Sequence, residues 1–189
     1  MNLPSWYPGT ESKPAPMPLL LVQGFINTHQ LDDQIELLDD PEAGRRWLEE
    51  AGLLGEHVAL TAEDLVWARA IRESIRGLLE LAEGQARGND LEPLRELAER
   101  HHPRLRIHPD GALSLENPGH GTLDDGLFEL LLIIRQAQEE GTWSRLKLCG
   151  NPDCRWAYYD RSRNQQGHWC DMASCGNRLN NRQLRARRR

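Results

Sequence analysis

All four cysteines of this 189-residue chain fall near its end, as Cys149-Gly150-Asn151-Pro152-Asp153-Cys154 and, fifteen residues later, Cys170-Asp171-Met172-Ala173-Ser174-Cys175. Two pairs with four residues inside each have the form of two knuckles gripping one ion. Tetrahedral zinc takes four soft thiolates, and each short turn presents two sulfurs with backbone N–H groups aimed at them. Gly150 and Gly176, each directly after a cysteine, are read as supplying backbone freedom where a side chain would crowd the sulfurs. Four protein ligands leave no open position for water or substrate, so a structural site is expected rather than a catalytic one. His168, two residues before Cys170, is a substitute ligand that four thiolates do not need. The competing reading is two disulfides or four unrelated thiols. No export signal is read at the start, where Glu11 stands against Lys13, so a reducing, cytoplasmic compartment is expected. Zinc is therefore the expected cofactor. Structural zinc supplies on the order of 10–16 kcal/mol, and without it residues 149–189 are expected to be largely disordered, being too few for a core of their own.

The net charge of -6 is misleading as an average. Residues 1–148 hold 14 Lys and Arg against 26 Asp and Glu, whereas residues 149–189 hold 9 against 3. An acidic body is thus joined to a basic module, the asymmetry of a chain whose end meets nucleic acid or another partner. Four thiolates on one zinc carry a charge of about -2, which trims the module to about +4. Arginine outnumbers lysine 21 to 2, which fits a GC-rich bacterial genome.

Mean hydropathy is -0.66, and the longest apolar run, Met17 to Ile26, is interrupted by Pro18, Gln23 and Gly24, too short for a membrane span. Residues 1–18 carry five prolines and read as an extended leader with little chemistry. The run from Leu19 to Leu31 fits a strand or a helix equally. Helices are expected from Pro41 through Glu50, from Thr61 to Glu83, from Asp90 to about His101, and from Thr122 to near Gly141. In the second of these, Leu65, Ala68, Ile71, Ile75 and Leu79 form the buried stripe, with Glu63, Arg69, Arg72, Glu73 and Arg76 on the other face. Between the last two, Leu105, Ile107, Leu113 and Leu115 alternate around His108-Pro109-Asp110-Gly111, which predicts a hairpin.

Inside the cysteine module, Arg155-Trp156-Ala157-Tyr158-Tyr159 predicts a short strand over the metal. Trp156, Tyr158, Tyr159 and Trp169 serve either as the small module's core or as exposed rings for base stacking. Beyond Cys175, Arg178, Arg182, Arg185 and Arg189 recur at spacings of four, three and four. On a helix they share one stripe about 16 Å long, able to reach several phosphates. A solvated charged terminus is the plain alternative.

These residues carry a resemblance. Cys175-Gly176-Asn177-Arg178, with Trp169-Cys170 and Asp160-Arg161-Ser162-Arg163-Asn164 upstream, resembles the signature of the CGNR zinc fingers. Phe25-Ile26-Asn27-Thr28, the stretch Trp47 to Leu53 and Arg72-Glu73-Ser74-Ile75-Arg76 resemble the ABATE domain that usually precedes such fingers. The resemblance implies a bacterial, stress-linked transcription regulator. It implies zinc on Cys149, Cys154, Cys170 and Cys175, and DNA contacts from Arg161, Arg163, Arg178, Arg182, Arg185, Arg187, Arg188 and Arg189. Two departures stand out: Gly167-His168 replaces two basic residues before the Trp-Cys pair, and Gly24 stands where similar chains have Asp.

The expected fold is α+β and mostly helical: a leader over 1–18, an ABATE-like helical domain with one β-hairpin over 19–141, and a treble-clef-like zinc finger over 142–189 ending in a basic helix. The expected function is regulation of transcription through DNA, with the N-terminal domain sensing a small-molecule effector or a protein partner. The alternative uses the finger for docking or dimerisation, for instance as a homodimer, its arginines meeting Glu36, Asp39 and Asp40 of a neighbour. Enzymatic activity is not expected, because Asn27, Thr28, His29, Asp32, Asp33, His101 and His102 form no nucleophile motif or histidine-ligand spacing.

Overall fold

The computed structural model describes residues 4–7, 13–82, 84, 90–119 and 121–177. In chain order the elements are α1 (Leu19–Ile26), β1 (His29–Gln30), β2 (Ile35–Glu36), α2 (Pro41–Glu50), α3 (Ala62–Ala82), α4 (Glu92–Arg100), β3 (Arg104–Ile107), β4 (Leu113–Glu116), α5 (Leu123–Glu139), β5 (Leu146–Leu148) and β6 (Ala157–Tyr159). A 3-10 turn at Trp143–Arg145 precedes β5, and a π-helical turn at Met172–Gly176 follows β6. The three ladders β1–β2, β3–β4 and β5–β6 are antiparallel pairs. The chain is therefore mostly helical α+β.

Local chemistry accounts for the helix starts. Asp40 accepts hydrogen bonds from the N–H groups of Glu42 and Ala43, with Pro41 in the first turn of α2. Thr61 and Asp64 exchange side-chain-to-backbone bonds at the start of α3, as Thr122 and Asp125 do for α5. Gly141, at φ +70, ends α5 in the left-handed region. The undecided segment is helix α1. It shows no amphipathic period because Leu19, Leu20, Val22, Phe25 and Ile26, and also Gln23, are all buried. This central helix packs on α3, α5 and β6.

One sequence expectation is corrected. Arg72 and Arg76, placed on the outer face of α3, are 2% and 1% exposed. Arg72 binds both oxygens of Glu36 and the Thr28 hydroxyl, and Arg76 donates to the carbonyls of Ile26 and His29, at 2.7 and 2.9 Å. Their guanidinium groups are buried because carboxylates and the carbonyls at the end of α1 meet them. Conversely, the β3–β4 hairpin forms with Leu105 opposite Leu115 and Ile107 opposite Leu113, yet Leu105, Ile107 and Leu113 are exposed. The alternation reports strand pairing there, not a buried face.

The core crosses the expected boundary near Gly141 without a break. Trp143, Leu146, Leu148, Ala157 and Tyr159 are buried in the same apolar cluster as Phe25, Leu48, Ile71 and Leu127. The last segment has no large core of its own because it borrows the body's. The leader joins in as well: Tyr7 and Ala15 are buried, the Lys13 carbonyl accepts from the N–H of Tyr159, and the Lys13 ammonium donates to the Trp169 carbonyl at 2.6 Å.

Candidate metal centre

The turn that joins β5 to β6 carries the first cysteine pair. Leu148 pairs with Ala157, so Cys149 leaves β5 and Cys154 stands three residues before β6, with the Cys149 N–H bonded to the Trp156 carbonyl at 2.9 Å. The second pair is set by Asp171, whose side chain accepts from the Ser174 N–H and whose carbonyl accepts from Cys175 and Gly176. Cys175 thus rides in the π-helical turn. The Gly150 N–H joins the two halves by donating to the His168 carbonyl at 2.8 Å. A knuckle inside a hairpin followed by a cysteine pair at a helical turn is the expected treble-clef-like order.

All four sulfurs lie within 4.8 Å of one another. Cys154 and Cys170 are 3.8 Å apart, and Cys170 and Cys175 3.7 Å. Four sulfurs about 2.3 Å from a central zinc stand about 3.8 Å apart, so this spacing fits a tetrahedral thiolate site. Cys149, Cys154 and Cys175 are buried and Cys170 is half-buried, with Trp156 and Trp169 covering them. Asn151, itself buried, donates from its amide to the Cys175 sulfur at 3.7 Å, while its carbonyl oxygen accepts from the Asp153 N–H. Contacts from the Cys154 and Cys170 thiols, with N–H donors of Cys170 and Asn151, hold Cys149 far below its usual range. The same contacts with Cys149 push Cys154 and Cys170 up. A divalent cation bound here would stabilise every thiolate at once.

Gly150 and Gly176 matter for space, as the sequence reading expects, but the neighbours a side chain would crowd are His168, Trp169 and Met172 rather than the cysteine sulfurs. Neither has a positive φ. A Cβ on Gly150 would stand 3.1 Å from the His168 carbonyl and 3.3 Å from the Trp169 ring, and one on Gly176 would press the Met172 sulfur at 2.8 Å.

Between the pairs, the loop after β6 turns around Asp160. Its carboxylate accepts from the N–H groups of Ser162 and Gly167 and from the Lys147 ammonium, at 3.0, 2.8 and 3.2 Å. Burial alone would raise this acid, but those donors hold it well below the usual carboxylate range. Gly167 fits because a Cβ there would meet the Asp160 carboxylate at 2.9 Å. The loop exposes Arg161 and Arg163, with Arg161 also donating to the Pro14 carbonyl. His168 is exposed on the same stretch and lies outside the four-sulfur set. Arg178, Arg182, Arg185, Arg187, Arg188 and Arg189, and with them the expected basic helix, lie outside the described residues. Tyr158 and Tyr159 are buried and Trp156 and Trp169 half-buried, so these rings pack the core rather than standing free.

Polar residues weighed as a possible pocket are engaged in structure. The Asn27 amide binds Ala157 at both its N–H and its carbonyl, and the Thr28 hydroxyl donates to the Phe25 carbonyl. The His29 ring faces Arg76, Glu36 and Glu73, and burial together with the two arginines lowers its pKa. His101 stacks on Phe128. Asp32, Asp33 and His102 are exposed. The acidic groups named for docking are also engaged: Glu36 holds Arg72, Asp39 holds Arg69, and Asp40 caps α2. Sequence reasoning missed Asn151, Asp160 and the grip of Gln23 and Asn27 on β6. Only the Asn-Pro pair inside the first knuckle hinted at Asn151.

Residues 145–188 match the family model described as CGNR zinc finger, and residues 21–139 match ABATE, described as "Putative stress-induced transcription regulator". No curated protein matches the chain. Among the described residues no helix is long and apolar enough to cross a membrane.

Proposed function

The chain belongs to the ABATE family and carries a CGNR zinc finger, and from that premise we propose that it is a cytoplasmic regulator that places a zinc-built basic module on DNA. One observation carries the reading: a four-sulfur cage at tetrahedral spacing sits beside a loop that exposes Arg161 and Arg163. The resident ion is zinc, held by Cys149, Cys154, Cys170 and Cys175, and its chemistry there is a structural cross-link with no open position. Asn151 supports Cys175 from behind, and Asp160 shapes the loop that offers the guanidinium groups. By sequence, Arg178, Arg182, Arg185, Arg187, Arg188 and Arg189 add further positive charge able to meet phosphates. The protein works by binding and catalyses no reaction.

The body is the sensing part. The first knuckle hangs from α1 through Ala157 and from α3 through the ion pair between Arg155 and Glu80. A small ligand or partner that shifts either helix therefore moves the finger. The docking alternative loses Glu36, which is held by buried Arg72, while Asp39 and Asp40 stay exposed.

The test is duplex-DNA binding by the full chain and by its double variant Arg182→Ala with Arg185→Ala, measured by fluorescence anisotropy across a salt series. The expected result is weaker binding and a slope of log K against log salt shallower by about 1.8, at about 0.9 per lost phosphate contact. Metal content should stay at one ion per chain. Binding equal to that of the parent would sink the arginine-stripe reading.

A further inference from the structure

Cys149 and Cys154 can meet one ion only if the β5–β6 turn between them is closed, and that closure rests on the Leu148–Ala157 pair. The peptide of Ala157 is gripped from the side of the body. The Asn27 side-chain oxygen accepts from the Ala157 N–H at 2.8 Å, and its amide donates to the Ala157 carbonyl at 2.9 Å. Gln23, one turn earlier on α1, donates to the same carbonyl at 3.0 Å. Asn27 thus satisfies the Ala157 peptide on the edge of β6 away from β5, beside the Lys13 carbonyl that accepts from the Tyr159 N–H.

The grip is rigid for physical reasons. Asn27, Gln23 and Ala157 are 0% exposed, so water offers no substitute for a broken bond. The Asn27 amide is fixed further by the Tyr7 hydroxyl at 3.2 Å, and the Gln23 oxygen by the Ala15 N–H at 2.7 Å. On the other side of the knuckle, Arg155, at φ +51 and next to Cys154, is tied to Glu80 of α3. Among the described residues, Cys170 and Cys175 are held by bonds internal to the finger and by the Lys13 contact.

We infer that Asn27 is a positioning residue for the metal centre: with Gln23 it holds the Cys149–Cys154 knuckle closed before the ion arrives, so that the body sets the finger's metal affinity. Preorganisation of this kind strengthens binding by removing the ordering step. Linkage makes the effect reciprocal, so the ion stabilises the body by the same factor as the body's grip strengthens metal binding.

The test uses the full chain, with Co(II) as the probe and a chelator as competitor, for the parent, Asn27→Leu and Glu80→Gln. Side chains bonded directly to metal ligands are typically worth about 10–100-fold in metal affinity, and Asn27, one step further from the sulfurs, is placed at the lower end, about 10-fold. That is the loss expected for Asn27→Leu, with the thiolate-to-Co(II) bands unchanged at saturation because the four ligands are intact. The rise in the body's melting temperature on adding metal should shrink in parallel. A residue important only for folding would lower the melting temperature equally with and without metal and leave the chelator competition unchanged, which overturns the inference. If Asn27→Leu does not fold, Glu80→Gln decides: weaker Co(II) binding upholds the body's control, and unchanged binding refutes it. The inference rests on the metal reading, and a parent chain that binds no Co(II) would remove both.

Discussion

Phe25, Ile26, Leu48, Ile71, Ile75, Leu79 and Leu127 are completely buried in the body, whereas the centre of the finger is three buried cysteines under two half-covered tryptophans. The body can stand on apolar burial, with its polar groups capping helices or pairing buried arginines. The finger, from Cys149 to Gly176, cannot do so. Its strand β6, with β5 just before it, lies in the body's core, and the rest is organised by one sulfur cage and one carboxylate. The contrast in charge runs along the same line. In the body Glu36 is drawn inward to pair with buried Arg72, while the finger leaves Arg161 and Arg163 exposed.

Metal removal gives the largest expected separation of the two regions. The apparent binding energy of a structural zinc, about 10–16 kcal/mol, is lost when a chelator strips it. Amide exchange should then accelerate sharply over residues 160–177 and stay slow in α3 and α5, with β5 and β6 between. Equal loss of protection in α5 would contradict the division of labour. Next in size is Arg72→Ala, which leaves the Glu36 carboxylate without its partner. It should destabilise the body by about 3–5 kcal/mol in denaturant unfolding, with metal content unchanged.

Asp160→Asn should act on the finger alone, by about 1.5–3 kcal/mol, as the charged acceptor of three hydrogen bonds is lost. Because the folded-state pKa of Asp160 is depressed, its contribution is fully present above the unfolded value of about 3.9 and disappears as pH falls through the lower folded value. Parent and variant should therefore differ by a constant amount across the neutral range in which the thiolates hold the metal, read by the unfolding midpoint of the metal-loaded chain. The smallest effect on stability is that of Arg163→Ala, within about 0.5 kcal/mol. Its signature is instead a DNA-binding salt slope shallower by about 0.9.

The metal set and the helix ends were legible from sequence because each rests on local chemistry. Cysteine spacing limits where sulfurs can meet, and Thr61, Thr122 and Asp40 cap the helices that begin beside them. The tertiary features were not legible. Helix α1 has no period because every side of it is covered. Periodicity reads an arginine as solvated, so it missed Arg72 and Arg76, whose burial depends on carboxylates and carbonyls brought in by β1, β2 and the end of α1. The apolar alternation of β3 and β4 gave the pairing but not the exposure of Leu105, Ile107 and Leu113. Asn27 was noticed as polar and given no partner, since its partner, Ala157, lies 130 residues away.

The central claim is that the ion builds the surface on which DNA binding depends, while the body stands without it. Its most direct test is duplex-DNA binding by the full chain across a salt series, with and without chelator, with far-ultraviolet circular dichroism on the same samples. The account predicts salt-sensitive binding by the metal-loaded chain that is lost on chelation and restored by zinc, with most helical signal retained throughout. Equal DNA affinity and equal salt slope in the two states would contradict it.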